Sequence, residues 1–199
     1  MRPRVVIIDN GGANTASLRF ALARLDIQPE LTSDARTISS ATHVILPGVG
    51  AAADAMERLR ARRLDGLIPQ LTQPVLGICL GMQLLYEASE EGDAQCLGTI
   101  PGTARRLRPV QGRPVPHMGW NQIRQPRHAG LLAGVEDGAH AYFVHSYALP
   151  IGSETVAVTE YGAEFSAAVA HANFFGTQFH PERSAATGAA ILRNFLALH

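Results

Sequence analysis

The chain has 199 residues, 46% apolar and only 17% charged, and its 17 basic residues, every one an arginine, balance 17 Asp plus Glu for zero net charge. Without lysine, Schiff-base catalysis and a phosphate loop ending in Gly-Lys are excluded, and a balanced chain carries no electrostatic footprint for nucleic acid or an anionic membrane surface. A charged fraction below the roughly 25% of ordinary soluble domains has two explanations, a surface covered by a partner subunit or plain scatter in an alanine-rich chain.

The length suits one domain, residues 1–199. Only four apolar residues follow Met1–Arg4 before Asp9, so no signal peptide is expected, and no apolar run approaches the ~20 residues of a membrane span. Two cysteines without a CxxC pair point to free thiols in the cytoplasm. Val5-Val6-Ile7-Ile8 is a continuous β-branched run, the pattern of a strand buried on both faces. The Asn10–Asn14 turn follows, then a helix with Leu18, Leu22 and Leu25 on one stripe. Thr42–Leu46 is a second buried strand, ended by Pro47-Gly48-Val49-Gly50, with a helix after it carrying Ala52, Met56 and Leu59. Pro74–Ile78 is a third, running into Cys79 and a helix through Leu85.

Strand, loop and helix in repetition predict an α/β fold with a doubly wound, mostly parallel open sheet. Past Gly98 the texture changes. Segments at His117–Ile123, Ala141–Leu149, Thr155–Tyr161 and Ala167–His171 are short and β-like, which predicts antiparallel strands added in the second half. Phe174–Phe179 is a further strand, and Ile191, Leu192, Phe195 and Leu196 mark a closing helix. Gln111–Pro114 is the most exposed loop expected, and no repeat or linker interrupts the chain.

Sites in open α/β sheets form beyond the carboxyl ends of the strands, and three motifs fall there. Gly77-Ile78-Cys79-Leu80-Gly81 has the layout of a nucleophile elbow with cysteine in the serine position. The following helix offers free N–H groups suited to a thiolate, and the Leu80 N–H is placed to donate to an oxyanion. His180-Pro181-Glu182 follows a strand, and in extended chain residues two apart point the same way, so Glu182 can orient His180. Gly48 and Gly50, flanking Val49, permit backbone conformations that aim N–H groups at a carbonyl. Thiol, oriented base and oxyanion donors are the parts of acyl transfer through a thioester. Each motif alone has a structural reading; together they point to catalysis. His145 ranks below His180, because Tyr147 rather than a carboxylate lies two residues on. His117, His128, His140 and His171 have no ligand-like clustering, no metal site is expected, and Cys96 reads as a small buried residue.

Gly77–Gln83 resembles the nucleophile motif of the class I (triad) glutamine amidotransferases, and His180-Pro181-Glu182 resembles their His/Glu pair. Within that family the chain is most similar to the glutaminase subunits of imidazole glycerol phosphate synthases. That similarity rests on Asp9–Ser17, Leu46–Ala51, Val115–Asn121, Tyr142–Tyr147 and Gln178–Ser184, and it spans residues 5 to about 196. The resemblance implies hydrolysis of L-glutamine to glutamate and ammonia, with no cofactor. It makes Cys79 the nucleophile, His180 the proton carrier and Glu182 its orienter. Leu80 and the Gly48–Gly50 segment become oxyanion donors, and Gln83 with the Ser146-Tyr147 backbone holds the glutamine. The implied partner is a (β/α)₈ barrel cyclase subunit that uses the ammonia on a nucleotide in histidine biosynthesis, and the implied partner-facing residues are Asn10, Asn14, Trp120, Tyr142 and Arg183. A rearrangement near Gly48-Val49 is expected to complete the oxyanion hole when the partner is loaded.

Two departures from the family pattern concern subunit contact. The first turn lacks an aromatic and has Ala13 for a glycine, and Arg183 stands for a lysine. Arg183 is expected to pair with a partner carboxylate. The competing readings are an amidotransferase subunit of the anthranilate or pyridoxal phosphate synthase type, whose oxyanion strings differ from Pro-Gly-Val-Gly, and a non-catalytic regulatory subunit.

Overall fold

The computed structural model describes residues 3–11, 15–125 and 129–199; Ala13, Asn14 and His128 therefore lie outside the described residues. The first half builds β1 (Val5–Ile8), α1 (Ala16–Ala23), β2 (Glu30–Thr32), α2 (Ala35–Ser39), β3 (His43–Gly48), α3 (Ala52–Ala61), β4 (Val75–Cys79) and α4 (Leu80–Leu84). Three short strands follow, β5 (Tyr86–Ser89), β6 (Ala94–Gln95) and β7 (Ile100–Arg106). The second half holds β8 (His117–Ile123), β9 (Ala139–His145), β10 (Tyr147–Ala148), β11 (Thr155–Tyr161), β12 (Ala163–His171), β13 (Phe174–Thr177) and α5 (Ala185–Leu196).

The main sheet has the order β11-β12-β13-β4-β3-β1-β2. From β13 to β2 the neighbours are parallel, while β11 and β12 add antiparallel pairings. The expected architecture is thus what the chain adopts. Because side chains alternate across a strand, each central strand feeds two cores. Val6, Ile8, Val44 and Leu46 pack with α3 and the small sheet on one side. Val5, Ile7, Ile45 and Leu76 pack with α1, α5 and the β8–β9 pair on the other. That two-sided burial is why these strands read as unbroken apolar runs.

Several elements differ from the sequence reading. The small sheet β10-β7-β5-β6 was not expected; β7 pairs with β5 and β10 although it contains Pro101 and Gly102. β2 and α2 were also missed, being three and five residues long and mostly exposed. Ala141–Leu149 is two elements, β9 and β10, divided at Ser146 between different sheets. β3 does not end at Pro47 but pairs with β4 through Gly48.

Candidate active site

The parallel strands deliver their carboxyl ends to one edge, where the strand order reverses between β1 and β3. At that reversal the buried side chain of Asn10, just past β1, donates to the Pro47 carbonyl at 3.1 Å. Asn10 is only 1% exposed. The expectation that it faces a partner is therefore corrected: its amide continues the β1–β3 pairing where backbone partners run out.

Cys79 terminates β4 with φ +54° and ψ −111°, a conformation costing an L-residue about 1–3 kcal/mol. The glycines around it are demanded by close approach. A Cβ on Gly81 would lie 1.9 Å from the Leu46 carbonyl oxygen, and one on Gly77 would lie 2.6 Å from that of Gly81. The chain can turn this sharply against β3 only without those side chains, and the turn lifts the thiol into a cavity of about 670 Å³. Leu80 opens α4, so its N–H lies in the first turn, where the helical ladder offers no acceptor. Gly48, Val49 and Gly50 line the same cavity, with Gly50 at φ +86°.

His180 sits past the end of β13, and its N–H donates to the Tyr142 carbonyl at 2.9 Å. Its Nδ1 lies 2.9 Å from Glu182 Oε1. The backbone reason differs from the one expected: Pro181–Arg183 is a 3₁₀ turn, not extended chain, and the turn folds the carboxylate back onto the ring. Burial disfavours the imidazolium, but hydrogen bonds and opposite charge from Cys79 and Glu182 outweigh it and raise His180 to about 10. With Nδ1 on the carboxylate, Nε2 is the nitrogen left for the thiol. The imidazole thus stands between the sulfur and a carboxylate, a geometry in which a base can serve a cysteine nucleophile.

The sulfur lies 3.7 Å from the Val144 carbonyl oxygen and 3.7 Å from the side-chain amide nitrogen of Gln178. Gln83 is buried, donating to the Tyr147 carbonyl at 2.8 Å and to Gln178 Oε1 at 3.0 Å. Ser146 and Tyr147 form the opposite wall of the cavity. Two residues escaped the sequence reading, one buried against the sulfur and one in the cavity wall. Gln178 is 99 positions from the sulfur it touches. Glu91 lies in a small-sheet loop, accepts from the Ala52 N–H at 3.0 Å, and has its carboxyl raised by burial. No spacing rule links either to the elbow. Beside the mouth, Trp120 is 54% exposed and packs edge-on to Tyr142 at 6.0 Å, and the Arg183 guanidinium stands 4.3 Å over the Tyr142 ring. Cys96 lies apart from the cavity, its thiol pushed up to about 11 by burial. Among the described residues no three His, Cys, Asp or Glu side chains are grouped to hold a metal, and no helix is long and apolar enough to cross a membrane.

A family-level sequence profile described as Glutamine amidotransferase class-I matches residues 6–198. The chain is 54% identical over 194 residues to imidazole glycerol phosphate synthase subunit HisH of Xanthomonas axonopodis pv. citri, covering 98% of this chain and 97% of that one. The HisH subunit of Xylella fastidiosa is similar to the same extent. A solved glutamine amidotransferase superposes with a TM-score of 0.75 at 19% identity, over 97% of each chain, a likeness that concerns the fold.

Proposed function

Because this chain belongs to the class I glutamine amidotransferase family, in the branch of the imidazole glycerol phosphate synthase glutaminase subunits, we propose that Cys79, His180 and Glu182 hydrolyse L-glutamine for a (β/α)₈ barrel cyclase subunit. The observation that carries the assignment of roles is the chain of contacts from sulfur through imidazole to carboxylate at the floor of the cavity.

The Cys79 thiolate attacks the side-chain amide carbon of glutamine. The oxyanion that develops takes N–H donors from Leu80 and from the Gly48–Gly50 segment. Imidazolium His180 gives its proton to the departing nitrogen, which leaves as ammonia, and a γ-glutamyl thioester remains on Cys79. His180, now neutral, takes a proton from water as that water attacks the thioester. Glutamate leaves and the thiolate–imidazolium pair is restored. Glu182 holds the ring throughout. The Ser146-Tyr147 backbone receives the amino-acid end of the substrate, Gln83 braces that backbone, and Glu91 supplies the negative charge that the substrate ammonium needs.

Trp120, Tyr142 and Arg183 form the partner-facing surface, with exposed Met118 beside them on β8. Arg183 stacks on Tyr142 while leaving its N–H donors to reach a partner carboxylate. The segment Gly48-Val49 switches to complete the oxyanion hole when the cyclase is loaded, in the cytoplasm where both subunits work. Glutamate release is the test, measured for the chain alone, with the cyclase, and with the cyclase plus its nucleotide. Strong release only in the complete mixture, abolished by Cys79→Ala, is expected; equal release by the isolated chain would refute the switching segment.

A further inference from the structure

Facing β9 from β8 is a buried histidine pair that the mechanism leaves unused. His117 and His145 stand directly opposite in the strand register, and their rings meet with His117 Nδ1 3.0 Å from His145 Nε2. His145 Nδ1 lies 2.8 Å from the Tyr147 carbonyl oxygen. His117 Nε2 lies 3.3 Å from the Asn121 side-chain nitrogen. Stacking on Tyr161 at 4.0 Å and Phe143 at 4.9 Å holds His117 in plane.

Hydrogen-bond chemistry allows this chain only one direction. A carbonyl accepts, so His145 Nδ1 carries the proton; a neutral His145 then presents a lone pair at Nε2, so His117 Nδ1 must donate to it. His117 Nε2 in turn accepts from Asn121, whose amide orientation is set by its N–H donation to the Glu160 carbonyl at 3.0 Å and by acceptance from the Gln122 N–H at 2.8 Å. Both rings are neutral with one tautomer each. Burial is also the main reason both imidazoles are lowered, to about 4 for His117 and about 3 for His145.

The chain of donors ends on the Tyr147 carbonyl, which also accepts from Gln83 at 2.8 Å. Both lone pairs of that oxygen are engaged, and the neighbouring Ser146 carbonyl accepts from the Leu107 N–H at 2.8 Å. We infer that His117 and His145 are positioning residues for the substrate: the tautomer-locked pair sets where the Ser146-Tyr147 backbone meets glutamine. This rests on the reading that this backbone receives the substrate. His145 lines the cavity with Cys79 and His180, but its ring nitrogens are engaged by His117 and the Tyr147 carbonyl, so the pair's effect falls on binding more than on turnover.

The test is steady-state glutaminase kinetics of the complex with the cyclase and its nucleotide. His117→Phe keeps the stacking but removes the donor, and KM for glutamine is expected to rise about fivefold or more with kcat within about twofold. His117→Asn places an amide nitrogen where Nδ1 was, and KM is expected to return close to the wild-type value. An unchanged KM in the Phe variant, or equal damage in both variants, overturns the inference. If the Phe variant does not fold, nitrogen NMR of the wild-type chain decides, because His145 found neutral with its proton on Nε2 contradicts the chain of donors. A wild-type complex unable to release glutamate would instead count against the functional reading itself.

Discussion

The carbonyl oxygen of Pro181 lies so close to Gly188 that a Cβ on that glycine would approach it to 1.8 Å. Gly188 is buried on α5 and the Pro181–Arg183 turn carries Glu182, so the helix holds that turn by direct backbone contact. Gly188→Ala must push the turn away. Without that clash, alanine would favour the helix by about 1 kcal/mol. We expect a fall of about tenfold or more in kcat/KM, since small displacements of catalytic groups are costly, together with a lower Tm. Gly66→Ala, where a Cβ meets nothing within 4 Å, serves as the neutral control.

The pH profile follows from the raised His180. Its imidazolium persists to about 10, so kcat/KM of the loaded complex should hold from pH 7 to 9 and decline only towards 10. Stability follows the same sign: a histidine raised above its unfolded value of 6.5 contributes fully below 6.5 and loses that contribution as pH rises through about 10. Glu182→Gln removes the opposite charge. It is expected to draw the alkaline limb downward and to lower kcat by about 10²-fold or more, as for other orienting carboxylates.

Asn10→Leu leaves the Pro47 carbonyl without its side-chain donor in a buried setting. Leaving such a group unpaired costs about 1–3 kcal/mol. Chemical denaturation should report a loss of that size, and the oxyanion segment that continues from Pro47 should lose activity with it.

Arg183→Ala removes the cation over Tyr142 at an exposed position. Intrinsic stability should change by less than about 1 kcal/mol, while the affinity for the cyclase, measured by titration calorimetry, is expected to fall about tenfold. Arg183→Lys should recover only part of it, because an ammonium cannot stack on the ring and donate to a carboxylate in the same way.

Acid should destabilise the chain through the histidine pair. His117 and His145 are lowered in the fold mainly by burial, with repulsion from Arg113 on His117 and from His180 and His117 on His145. The unfolded chain therefore binds more protons below 6.5, and stability falls as pH drops from there towards 4 and then 3. Tm measured between pH 6.5 and 4.5 should decline less steeply in His117→Phe than in wild type.

Local signals carried much of the plan. The apolar runs at Val5–Ile8, Val44–Leu46 and Val75–Ile78 were legible as two-sided strands, because only apolar residues fit both cores. The elbow was legible because the glycines at 77 and 81 are imposed by sterics within a few residues of Cys79. Short or turn-like elements such as β2 and β7 were not, since three residues carry no period and Pro101-Gly102 mimics a loop.

The class of sheet, the glycine-flanked elbow at Cys79 and the His180-Pro181-Glu182 string were all encoded by neighbours in the chain. Tertiary structure alone decided that Asn10 is buried on Pro47, that Gln178 reaches the sulfur, that Glu91 enters the cavity and that His117 meets His145. These meetings depend on strand order, register and the packing of two cores. Backbone periodicity records which face a residue takes, but it does not record which distant residue will stand opposite.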